Sequence, residues 1–207
     1  MNRKKWVYPF YNILHPFEGV EEMHYYRRQS LPIAIVIFLF YMFIDIFAVW
    51  FTGPQFDIQS RDDINLLKIF VLKIAPILLW SIANWAMCVL NEGKAKFVEI
   101  ITITMYAFVP YIITKYAYII FTNFLLVEEG TFITWMVFVG IGLSVIIMAT
   151  ELMYYHEYSL SKVVGSSLLT VIGMVIILFL AFLLFTLFQQ IITTVLTVYN
   201  EISIRLK

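Results

Sequence analysis

Three ionisable residues stand inside long apolar runs: Asp45, Lys73 and Lys115. A charge at bilayer depth costs about 2.5–3.5 kcal/mol on insertion scales, so each needs a partner or a function. At 1.5 Å per helical residue, Asp45 lies roughly 21 Å along its run. By the same rise Lys115 lies roughly 22 Å along its own, and Lys73 roughly 10 Å from the start of its run, the end where the run before it stops. The three fall in one layer. An acid and two bases there can form a buried ion pair, or a polar step for a proton or ion. The alternative for each lysine is to snorkel to the nearest headgroups.

Other polar residues in apolar surroundings read as structural. Asn84, in Trp80-Ser81-Ile82-Ala83-Asn84-Trp85, is expected to bond a neighbouring helix. Pro76 and Pro110 are expected to kink their helices and free carbonyls. Tyr106 and Tyr111 flank Pro110, and their hydroxyls are expected to face partners inside a bundle. Gly140, Gly142, Gly165 and Gly173 would permit close helix contacts. Glu151, His156 and Glu157 resemble metal donors, but no pair of histidines has helical spacing, and interfacial or structural use is expected. Cys88 is the single cysteine, a buried small hydrophobe without a disulfide partner. The chain has no phosphate-cradling glycine loop, nucleophile elbow or His-Glu-x-x-His. The expectation is a non-enzymatic protein without cofactor or metal.

The elements that position these residues follow from composition. Of 207 residues, 62% are hydrophobic and 18% aromatic, against 14% charged; mean hydropathy is +0.87. A soluble domain could not cover so much apolar surface. The 14 basic and 14 acidic residues cancel, which argues against nucleic-acid binding. A bilayer core needs about 20 apolar helical residues. Five runs qualify, at about 31–51, 66–90, 100–127, 132–153 and 163–188. Weak period-two alternation excludes a barrel. The expected fold is an all-α bundle of five transmembrane helices.

Two end segments remain. Residues 1–30 are aromatic-rich, and Pro9 and Pro16 forbid one continuous helix. A short amphipathic helix over 17–28, with Phe17, Val20 and Met23 on one face, would lie at the interface and anchor the first span. Residues 189–207 either extend the last span or lie along the interface. Basic residues fix the orientation. Arg3, Lys4, Lys5, Arg27, Arg28, Lys94, Lys96 and Lys162 share the N-terminal side. Arg61, Arg205 and Lys207 lie opposite, as do the acids Asp57, Asp62, Asp63, Glu128 and Glu129. The N-terminus is expected in the cytoplasm and the C-terminus outside.

Several segments together resemble bacterial members of the Yip-one domain (Ypt-interacting protein) family. They are His15-Pro16-Phe17-Glu18-Gly19, Trp80 to Trp85, Leu90-Asn91-Glu92-Gly93-Lys94-Ala95-Lys96-Phe97, Tyr106-Ala107-Phe108-Val109-Pro110-Tyr111, and His156-Glu157-Tyr158-Ser159 with Lys162. The resemblance covers about residues 13–190. It implies five membrane helices, a cytosolic N-terminus and no catalytic motif. Eukaryotic members bind Rab GTPases, and resemble one another in a long N-terminal region with an Asp-Leu-Tyr-Gly-Pro motif. That motif is missing here, so GTPase binding is not expected. Bacterial relatives occur beside carbohydrate uptake systems. The resemblance therefore implies a bacterial inner-membrane accessory or scaffold protein whose partners are the bilayer and other membrane proteins, possible transporter subunits among them. His15 to Gly19 is then the candidate docking segment. A small transporter or channel using the Asp45/Lys73/Lys115 layer is the alternative.

Overall fold

A computed structural model describes residues 4–56 and 65–205. Arg3, Asp57, Arg61, Asp62, Asp63 and Lys207 lie outside the described residues. Every regular element among those described is helical. A 3-10 turn, Lys5–Val7, leads into α1 (Tyr8–Leu14) and α2 (Pro16–Tyr25). The long helices are α3 (Leu31–Phe51), α4 (Leu66–Leu90), α5 (Phe97–Ala107), α6 (Val109–Phe121), α7 (Gly130–His156) and α8 (Leu160–Arg205). With α5 and α6 taken as one span, five stretches are long and apolar enough to cross a membrane. Large apolar side chains such as Phe40, Trp50, Phe132 and Trp135 point outward. This inside-out pattern suits lipid as the solvent. The chain is an all-α integral membrane protein.

Local chemistry sets the helix ends. The Asn65 side chain accepts from Lys68 N at 3.0 Å and caps α4. Glu99 accepts from Lys96 N at 2.9 Å at the start of α5. Helices α2, α4 and α7 end alike. Arg27, Glu92 and Glu157 take left-handed φ of 50°, 57° and 56°. The next N–H in each case reaches back five residues, from Arg28 to Met23, Gly93 to Cys88 and Tyr158 to Met153. This closure normally uses glycine at the left-handed position.

Two expectations need correction, and one open choice is decided. The run read as a single third span over 100–127 is two helices that break at Phe108 and stop at Phe121. Pro110 sits in the first turn of α6, where its missing N–H is harmless. By contrast, α4 stays one helix through Pro76. Of the two readings left open beyond residue 188, helix extension is the one found: α8 runs on to Arg205 as one helix of 46 residues, about 69 Å long. The short helix expected over 17–28 is present as α2, but it is not the lone helix between residues 4 and 30. Helices α1 and α2 pack on each other, and α2 packs on α7. Val20 and Met23 are fully buried in the main core, whereas Phe17 is exposed. The buried face of α2 therefore meets protein.

Close backbone approaches fix the bundle. A Cβ at Gly140 would fall inside the Thr114 side chain, which marks where α6 and α7 touch. Gly173 meets Ala83 and Met87 of α4. Gly142 and Gly165 face open space, so they are not contact glycines. On α8 the buried row Val163, Ser166, Thr170 and Gly173 faces α4. Beyond Ile177 the row ends.

Candidate functional site

Two polar centres lie inside the bundle. The first joins α3 and α4. Lys73 Nζ lies 3.1 Å from Asp45 Oδ2 and donates to Tyr41 O at 2.7 Å. The ammonium also sits 4.5 Å from the centroid of the Tyr41 ring. The Lys73 side chain is 10% exposed and the Asp45 side chain 44% exposed. Tyr41 is one helical turn before Asp45, so α3 offers carbonyl, ring and carboxylate to one cation. Its ring centroid is 5.3 Å from Phe108 and 6.3 Å from Tyr111, beside the α5–α6 break. Lys115 does not share in this ion pair. Its Nζ lies 5.1 Å from the centroid of Tyr118, its neighbour on α6, and it makes no ion pair among the described residues. Only two of the three expected members of the layer come together.

The break at Phe108 is stabilised from α7. Tyr111 N, an orphan donor in the first turn of α6, donates to Ser144 Oγ at 3.2 Å. Tyr106 acts from the last turn of α5, on the other side of the break: its hydroxyl donates to Ser30 O at 3.3 Å and accepts from Ser30 N at 3.2 Å. That pair of bonds pins the chain entering α3. Between these helices a cavity of about 540 Å³ opens sideways, lined by Pro76, Trp80, Phe108, Tyr111, Ser144 and Ser167 among others. Its apolar lining and size suit an acyl chain or another apolar guest.

The second centre lies under α2, where α4, α7 and α8 converge. Asn84 Nδ2 donates to Thr170 Oγ1 on α8 at 3.3 Å, and Asn84 Oδ1 is 3.1 Å from His156 Nε2 on α7. With the amide so oriented Oδ1 is an acceptor, so Nε2 carries the proton and Nδ1 is left bare. The turn at Gly93 wedges beside it. A Cβ there would stand 2.5 Å from Cys88 Sγ, 2.5 Å from Tyr158 OH and 2.7 Å from His156 Nδ1. Tyr158 donates to Asn91 O at 3.1 Å, and burial pushes its hydroxyl above the ordinary tyrosine range. The two segments Asn91–Lys96 and His156–Ser159 therefore dock on each other, and Lys94 pairs with Glu157 across them. Cysteine, histidine and asparagine here have the order of a nucleophilic set. The thiol, however, is buried and its contact is Ala95 O at 3.8 Å. No described cavity reaches it.

Glu151 is fully buried, with neither carboxylate oxygen hydrogen-bonded among the described residues. One turn on, the Tyr155 hydroxyl is equally orphaned, and Tyr106 and Tyr155 both lie within its electrostatic reach. Met23 of α2 and Leu152 of α7 share the surrounding core. Glu151, His156 and Glu157 do not form one site, since Glu157 is exposed and paired with Lys94. No three His, Cys, Asp or Glu side chains come close enough to hold a metal among the described residues.

The segment His15 to Gly19 makes the corner between α1 and α2. His15 stacks on Tyr11 at 4.6 Å. A Cβ at Gly19 would stand 2.5 Å from Asn12 Oδ1. His15, Phe17 and Glu18 are exposed. Sequence reasoning missed Tyr41, Thr170 and Ser144. Tyr41 is the one hydroxyl-bearing residue of α3, whereas Ser144 and Thr170 are each one of several in α7 and α8, and only Asn84 and Pro110 signalled that such a partner had to exist.

The chain matches no family model, no curated protein and no solved structure.

Proposed function

We propose that this protein is a non-enzymatic membrane scaffold or accessory subunit that binds other membrane proteins, and that α8 carries the binding surface. One observation carries the reading: every residue from Leu178 to Tyr199 is exposed, along a helix continuous with the bundle. No element of the chain covers that length among the described residues. An apolar helix of this size standing clear of its own bundle is a surface for other helices. The resemblance to bacterial Yip-one domain proteins supports the same reading, and with it an inner-membrane location, a cytoplasmic N-terminus and a place beside a carbohydrate uptake system.

The test is capture of the full chain in mild detergent, with a form ending after Phe188 as control. A reproducible stoichiometric membrane partner, lost in the shortened form, is expected. The transporter alternative draws on the Asp45–Lys73 pair. That pair is closed and joined to Tyr41 O, the geometry of a helix–helix bolt. Solute movement by the purified protein in liposomes, abolished by Asp45→Asn, would overturn the scaffold reading.

A further inference from the structure

The exposed length of α8 carries a row of uncharged polar residues. Thr186, Gln190, Thr193 and Thr197 recur at intervals of four, three and four, which keeps them on one face. Gln189 and Thr194 flank the row. At 3.6 residues per turn the row lies on the side of α8 turned away from the Gly173 row that faces α4. Toward the bundle it is continued by exposed Ile172, Ile176, Phe179 and Leu183.

The hydrogen bonding of this face is half used. Thr186, Thr193, Thr194 and Thr197 donate their hydroxyl protons to Phe182 O, Gln189 O, Gln190 O and Thr193 O at 2.8–2.9 Å. Their oxygens keep lone pairs free to accept. The side-chain amides of Gln189 and Gln190 have no partner among the described residues. The face thus presents amide donors and carbonyl and hydroxyl acceptors together, and no charge occurs on α8 between Lys162 and Glu201.

Two copies of one chain enter a membrane in the same orientation. A two-fold axis along the membrane normal then sets each residue of α8 opposite itself. Only side chains that can pair with their own kind tolerate that arrangement. Glutamine does, being donor and acceptor at once; a charged side chain repels its copy. We propose that the Thr186–Gln190–Thr193–Thr197 face pairs with the same face of a second copy, giving a parallel dimer. This rests on α8 being an interaction surface but uses a different side of it, so the row containing Ile191 and Val195 stays free for another protein.

The test uses the full chain, reconstituted in liposomes, with Cys88 left in place because it is buried. Oxidative cross-linking of Thr193→Cys and Val195→Cys is compared, together with particle mass in mild detergent for the parent, Gln190→Glu and Val195→Glu. The expected result is a dimer. Thr193→Cys cross-links at least about tenfold faster than Val195→Cys. Gln190→Glu, which sets like charges face to face, lowers the dimer fraction about tenfold or more, and Val195→Glu does not. A monomeric parent chain, a dimer indifferent to Gln190→Glu, or a Thr193→Cys that cross-links no faster than Val195→Cys overturns the proposal, as does a complex with a different polypeptide holding one copy only. Failure of the parent chain to capture any partner, with the dimer intact, would count against the scaffold reading alone.

Discussion

Lys73 on α4 and Asp45 on α3 meet at 3.1 Å, with the ammonium also bonded to the carbonyl of Tyr41. Removing one member leaves the other charged in a weakly polar setting. Lys73→Met orphans Asp45, whose side chain is partly exposed, and is expected to cost about 1–2 kcal/mol, less than the penalty for breaking a fully buried pair. Asp45→Asn leaves the more deeply buried Lys73 with the Tyr41 carbonyl as its remaining partner and is expected to cost a similar amount. The double variant regains much of the loss. Unfolding in detergent across this cycle measures it, and additive costs would show that the contact carries no coupling.

Two glycines of α7 separate packing from propensity. Gly140→Ala drives a methyl into Thr114 and is expected to cost about 1–3 kcal/mol. Gly142→Ala meets open space and is expected to stabilise by about 0.5–1 kcal/mol through better helix propensity. Thermal unfolding of the two variants side by side checks the opposite signs.

Asn84 bridges three helices. Asn84→Leu leaves the His156 Nε2–H without its partner, while the Thr170 hydroxyl keeps its bond to Ser166 O, and is expected to cost about 1–3 kcal/mol. If stability falls by much less than 1 kcal/mol, the bridge is not a real constraint on α7 and α8.

Glu151 has the reverse expectation. Its carboxyl has no described hydrogen-bond partner to lose, so Glu151→Met is expected to raise stability by about 1–3 kcal/mol. For a chain of this size that is an upward Tm shift of about 2–4 °C per kcal/mol. A lower Tm would reveal a compensating partner at the carboxylate.

Glu92 closes α4 in the left-handed region that glycine enters without strain. Glu92→Gly is expected to stabilise by up to about 1 kcal/mol. The same change at Glu157 should give less, because it also breaks the Lys94 pair. Chemical denaturation midpoints distinguish the two.

The Leu90 to Phe97 and His156 to Ser159 segments were legible in sequence as motifs and as helix breaks. That they lock together through Gly93, Tyr158 and Lys94 was not. The contact joins positions more than sixty residues apart, and hydrophobic periodicity reports only what is local. His15 to Gly19 was likewise visible as a motif, and its role in turning α1 onto α2 came from the clash a side chain at Gly19 would make.

Length and apolarity alone determined the class of the molecule. A bilayer accepts few backbone solutions, and five apolar runs of sufficient length leave little choice beyond a helical bundle. They also determined that Asp45, Lys73 and Asn84 needed partners, since unpaired polar groups are costly there. Tertiary structure decided which partners. Rise per residue gives depth along a helix but not rotation or neighbour, so Lys73 and Lys115 were equivalent until α4 was set against α3. Nor could sequence separate a span from its extension at Phe188: apolar and Thr-rich helix share one backbone, and only the exposure of α8 from Leu178 to Tyr199 among the described residues shows it standing clear of its bundle.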